Sequence, residues 1–266
     1  MLVIPVVAVV LIVAVTVTSH YRWPWAEPFT RRWDQVLPIA RAYVRCAPAT
    51  FTYLFILLIT TWVLRSSTLT IDRQLLWQHS TNLIRLRDDP VSVLVTSAFW
   101  LTPRELLLWL ALFPLVMAPV EKWLGSLRGI VVFFVGHVGA SLVTAAIIAV
   151  MITHGWAPHR LKDVIDVGSS YGFWCVAALF SYRLPGRWGW AWAGAILAGA
   201  LGFIVWRTSF SDYGHLVAMV IGLALYPVTR VPAVRLRDGW PIWRPPALMI
   251  DLEVERMEAR HRLSGR

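Results

Sequence analysis

The sequence has few of the residues on which most functional classes depend. Cysteine occurs only twice in 266 residues, as Cys46 and Cys175. Neither belongs to a C-x-x-C pair, so a disulfide framework and a cysteine-rich zinc module are excluded. Charge is sparse as well. Asp, Glu, Lys and Arg make up 15% of the chain, where a soluble domain carries about a quarter. Lysine is almost absent: only Lys122 and Lys162 stand among 25 basic residues. That arginine bias is typical of a GC-rich genome, and a bacterial source is expected. There is no G-x-x-x-x-G-K-[ST], no H-E-x-x-H and no G-x-G-x-x-G after a strand. Phosphate-loop, zinc-protease and dinucleotide chemistry therefore have no footing, and no cofactor or metal is expected.

What the sequence does have is apolar length. Hydrophobic residues make up 58%, with 16 Trp, and mean hydropathy is +0.61. The apolar residues are gathered in runs of the length that crosses a bilayer, about 17–25 residues. Seven runs qualify, at 2–18, 48–64, 103–120, 129–152, 164–182, 188–206 and 213–229. The first has no basic residues ahead of it and no A-x-A site, so it is expected to stay as a helix rather than leave as a signal peptide. The expected fold is an all-α polytopic membrane protein. Its expected parts are an N-terminal transmembrane helix at 1–19, a basic cytoplasmic linker at 20–47, a six-helix membrane core at 48–229 and a basic cytoplasmic tail at 230–266.

The net charge of +10 would suggest nucleic acid in a soluble protein. Here it follows topology. With the loop after the first run placed inside, 17 basic residues lie on that side and 8 on the other. The positive-inside rule then puts the C-terminus in the cytoplasm. Eight of the inside arginines fall in the tail, whose expected partner is anionic lipid at the inner surface; no nucleic acid is expected. The outside loop 65–101 holds a mixed stretch, 83–100, suited to lying in the membrane interface. After it, Thr102, Pro103 and Glu105 spell a capping box for the third run.

Polar residues inside apolar runs are costly and point to function. They cluster at Asp166-Val167-Gly168-Ser169-Ser170-Tyr171-Gly172, at Asp212-Tyr213-Gly214-His215, and around His137 in Gly136-His137-Val138-Gly139. The first two clusters open runs that travel from outside to inside. Ser170 should lie about six residues into its helix and His215 two or three into its own, roughly 3–9 Å below the outer edge. A serine becomes a nucleophile when a base can take its proton, and histidine is the commonest base. Gly168 and Gly172 flank the serine; Gly214, Ala218 and Gly222 flank the histidine. Small residues at such spacing let helices approach closely.

These residues resemble the rhomboid intramembrane serine proteases. Gly168-Ser169-Ser170 is similar to their G-x-S, and Gly214-His215-Leu216 with Ala218 and Gly222 to their histidine helix. Thr96-Ser97-Ala98-Phe99 looks like the stretch before their second core helix. Glu121-Lys122-Trp123-Leu124-Gly125-Ser126-Leu127-Arg128 looks like their turn between the second and third. The resemblance covers roughly 48–229 and implies a rhomboid-like six-helix core. It also implies a Ser170–His215 dyad that cleaves transmembrane-segment proteins near the outer surface. Trp174 would pack against the histidine, and Gly168, Gly214 and Gly222 would support the pair.

The sequence departs from the family at three places. Tyr171 follows the serine where the family has glycine. Glu105 and Trp109 fall near the residues that would stabilise an oxyanion. The first outside loop lacks the adjacent Trp-Arg pair. Two functions therefore stay open: a serine endopeptidase, or an inactive rhomboid-like protein that binds transmembrane partners.

Other polar residues carry plainer expectations. His137 should make an interhelical hydrogen bond. Glu105 should serve as the capping-box residue, and Asp212 as a helix-start charge. His154, His159, Asp163 and Asp166 should sit on a solvated loop. Glu121 should fix the inner turn with Arg128, and 191–202 should be a packing helix.

Overall fold

The computed structural model describes residues 27–207 and 209–264. The run 2–18, expected as the first helix, and Arg22 lie outside the described residues. Among the described residues the chain is helical, with no strand. It is an all-α polytopic membrane fold that separates into two compact units, one of Met1–Cys46 with Trp240–Arg266 and one of Ala47–Gly239.

In the first unit, α1 (Glu27–Cys46) packs on α11 (Ala247–Ser264). Glu253 is buried at their contact. A buried carboxylate is tolerable only when paired, and Glu253 accepts from the guanidinium groups of both Arg45 and Arg256.

The second unit holds α2 (Pro48–Ser66), α3 (Leu69–Gln78), α4 (Leu83–Asp88) and α5 (Pro90–Thr96). It continues with α6 (Leu106–Leu124), α7 (Ser126–Thr153), α8 (Ser170–Phe180), α9 (Arg187–Arg207) and α10 (Phe210–Ala224). Among the described residues four helices are long and apolar enough to cross a membrane: α2, α6, α7 and α9. Helices α7, α8 and α10 pack on one another, and α9 lies against α10. Helix α8 is the centre of the unit. From Tyr171 to Phe180 every residue but Trp174 is buried.

Local chemistry explains the boundaries. In the 83–100 stretch, the Asn82 side chain accepts the Arg85 amide and opens α4, and the Asp89 side chain accepts the Ser92 amide and opens α5. Asn and Asp are strong caps because their oxygens satisfy orphan amides. His79, at the end of α3, stacks on Trp100 and bonds Thr96 through Nδ1. Burial and the nearby Arg85 guanidinium hold its imidazole below the ordinary histidine range. Within α6, a wider turn spans Phe113–Met117 and contains Pro114. A proline ring clashes with the carbonyl four residues back, and a π turn relieves that clash.

Several expectations need correction. The capping box at Thr102 does not form. The Glu105 amide bonds the Thr102 carbonyl in a turn, the helix begins at Leu106, and the Glu105 side chain is exposed and caps nothing. Glu121 does fix the turn between α6 and α7, but not with Arg128. It accepts from the amides of Ala49 and Thr50 and from the hydroxyls of Thr50 and Ser126, while Arg128 donates to the Leu124 carbonyl.

The fifth apolar run is shorter as a helix than expected. Helix α8 has 11 residues, about half of a spanning length. Residues 164–169, the first six of the run, instead form a loop, which is tolerated at depth only where the protein satisfies its backbone. Here the protein does so: the Asp166 amide donates to Ser80 Oγ at 2.7 Å, the Thr81 amide to the Asp166 carbonyl at 2.9 Å, and the Gly168 amide to the Ser97 carbonyl at 3.0 Å. Gly168 has φ +131°, a conformation that favours glycine, and it lets the loop turn into α8.

Candidate functional site

Helices α8 and α10 run parallel and close. A Cβ on Gly214 would collide with the Tyr171 ring, and one on Gly222 would collide with the Cys175 carbonyl and crowd Ala178. Further along, the Tyr182 hydroxyl donates to the Leu223 carbonyl at 2.8 Å. Two helices without a strong mutual hydrophobic drive in lipid are held by such close packing. Of the small residues named from the sequence, Gly214 and Gly222 make this contact, while Gly172 faces Phe133 of α7 and Gly168 faces Leu101.

The expected depths are reversed. Ser170 is the first residue of α8, and His215 is the sixth of α10. The cause lies in the two helix starts: the loop ahead of Ser170 is captured by Ser80, Thr81 and Ser97, whereas α10 begins earlier than the apolar run suggests, at Phe210. The contact of Gly214 with Tyr171 nonetheless brings His215 and the start of α8 to adjoining levels.

The immediate neighbours of His215 include two aromatic rings. The Tyr171 ring meets it edge-on at 5.5 Å between centroids, and Trp174 lies at 6.2 Å. Its Nδ1 is 3.9 Å from Asp212 Oδ1. Asp212, buried in the first turn of α10, keeps its other oxygen without a hydrogen-bond partner. Ser170 lines a small cavity with Thr81, His137, Asp166, Gly168 and Tyr171. It is too small to hold a water molecule.

Asp166 organises this end of the unit. Its carboxylate accepts the Thr81 and Tyr171 hydroxyls, each at 3.0 Å, and the Ser211 hydroxyl at 3.5 Å. It therefore joins the loop after α3, the start of α8 and the start of α10. Asp166 was expected on a solvated loop and is instead enclosed by these donors. His154, His159 and Asp163 are exposed, as that expectation had them. Among the described residues no three His, Cys, Asp or Glu side chains come together as a metal site would need.

His137 makes the interhelical bond expected of it. Its Nε2 lies 3.0 Å from Ser97 Oγ, and both residues are buried. Its Nδ1 has no partner. The residues expected near an oxyanion differ in burial. Glu105 is exposed ahead of α6. Trp109 is buried against Phe113 and Phe173, at 5.5 and 5.1 Å between rings. Its indole N–H meets no acceptor.

Sequence reasoning missed Ser80, Thr81, Ser97 and Ser211. The polar run Ser80-Thr81-Asn82, standing between apolar stretches, was the available signal for the first two.

A family model described as a rhomboid-like protein matches residues 42–234 of this chain. No curated protein and no solved structure matches it.

Proposed function

The chain belongs to the rhomboid-like family, and from that premise we propose that this multi-pass membrane protein binds transmembrane segments of partner proteins without cleaving them. The observation that carries the reading is Tyr171. It stands where the family has glycine after the serine, packs its ring on Gly214 and against His215, and ties its hydroxyl to Asp166. A general base must reach the nucleophile's proton directly or through one water, and the Tyr171 ring stands against the histidine that would serve as that base. The oxyanion side supports the same reading. One backbone or side-chain donor there is worth roughly 10²–10³ in rate; of the residues at the matching positions, Glu105 is an exposed carboxylate and Trp109 is packed against Phe113 and Phe173.

A second reading keeps one favourable observation. Gly214 and Gly222 draw the two helices together with Trp174 beside His215, which is the support that a Ser170–His215 endopeptidase would use. The two readings separate on one experiment: labelling of the purified protein with a fluorophosphonate, alongside Ser170→Ala and His215→Ala. The expected result is no labelling that depends on Ser170, together with photocrosslinking of transmembrane segments that stay intact. Labelling of the parent that is lost in both variants would overturn the proposal in favour of the endopeptidase. For orientation, the charge distribution supports a cytoplasmic C-terminus, with the tail arginines facing anionic lipid, and the arginine bias supports a bacterial cell membrane as its place.

A further inference from the structure

We propose that the cavity between α2 and α7 is a binding site for one acyl chain of a bilayer phospholipid. The cavity has a volume of about 410 Å³. It runs from Pro48 to Ile56 along α2 and from Ser126 to Phe134 along α7, a length of about 12 Å at 1.5 Å per residue. A single hydrocarbon chain can lie along that length.

The lining excludes water as the occupant. Ile56, Phe99, Met117, Ile130, Phe133 and Phe134 form the walls. The polar residues around Glu121 are already satisfied by one another: Glu121 takes the Thr50 and Ser126 hydroxyls and two amides. The Tyr53 hydroxyl is spent on the Ala98 carbonyl. A buried water needs two to four polar partners, and beyond these residues the lining adds only the Thr52 hydroxyl. An empty space would forfeit dispersion contacts along its whole lining.

The surroundings supply the occupant. Helices α2 and α7 are both long and apolar enough to cross a membrane. Ile130 in the wall, and Phe55 and Ile59 beside it on α2, are exposed. What stands outside the cavity is therefore the hydrocarbon of the bilayer. This site does not depend on whether the protein cleaves its partners.

The test uses the full chain in nanodiscs of phosphatidylcholine that carries a mid-chain diazirine, with adducts mapped by peptide mass spectrometry after irradiation. Labelling should be several-fold denser at 48–56 and 126–134 than on α9, whose exposed Leu201, Phe203 and Val205 present an apolar face without this cavity. Ile130→Trp and, separately, Ile56→Trp should bring the cavity peptides down to the α9 level while the melting temperature holds. Should one variant fail to fold, the other and the parent's own ratio still decide. Equal labelling of the cavity and α9 in the parent would overturn the proposal. So would adducts that excess free fatty acid removes and excess unlabelled phosphatidylcholine does not.

Discussion

Gly222→Ala is expected to destabilise the folded core by about 3 kcal/mol. The added methyl would meet the carbonyl oxygen of Cys175 and would stand 3.0 Å from the Ala178 Cβ. Neither obstacle is the free end of a flexible side chain. Both belong to α8, which is buried along nearly its whole length and cannot shift without disturbing α7 on its far side. Close packing resists such insertion because the interior is already filled. The same substitution at Gly194 or Gly202 in α9 should act in the opposite direction. Nothing lies within 4 Å of a Cβ at either position, and alanine in place of glycine inside a helix gains about 0.5–1 kcal/mol. Thermal or denaturant unfolding of the three purified variants reads both signs. A Gly222→Ala protein as stable as its parent would mean that α8 and α10 stand further apart than described above.

Asp166→Ala should cost about 3 kcal/mol or more, because it leaves buried donors without an acceptor and each such orphan costs about 1–3 kcal/mol. The Tyr171 and Ser211 hydroxyls lose this acceptor, while the Thr81 hydroxyl keeps the Asp166 carbonyl at 3.0 Å. The effect should be local as well as global. Hydrogen exchange should quicken at 80–82 and 164–170 before it does in α7. Asp166→Asn retains one oxygen acceptor and should lose less. If exchange in the two segments were unchanged in Asp166→Ala, the carboxylate would not be what anchors the loop.

The apolar runs were legible because a bilayer demands about twenty apolar residues per crossing, and α2, α6, α7 and α9 follow from that demand alone. Gly214 and Gly222 were legible for a similar reason: small residues at helical spacing have one common use between membrane helices. The start of α8 was not. Residues 164–169 continue an apolar run, and only Ser80, Thr81 and Ser97, far away in sequence, divert them from helix to loop. That diversion moved Ser170 to a helix start and placed Asp166 among donors instead of solvent. Glu121 was recognised as fixing a turn, yet its partners on α2 lie some seventy positions earlier, beyond what local spacing can show. His137 was read correctly as an interhelical bond, but nothing in the sequence singled out Ser97 as its partner.

The pairing of Thr81 with Asp166 joins positions 85 residues apart, and its consequence is kinetic. Closing so long a loop gives up chain entropy before any contact offsets it, so this contact is expected to form after the helices that flank it have packed. Interactions absent from the folding transition state govern the unfolding rate and leave the folding rate nearly unchanged. Thr81→Val should therefore leave refolding into micelles at the parent's rate and hasten unfolding, and a slowed refolding phase would place the contact in the nucleus instead. On this account the polar clasp at the mouth of α8 is a latch on the lifetime of the folded protein: it delays the chain's exit from the native state and has little bearing on its route in.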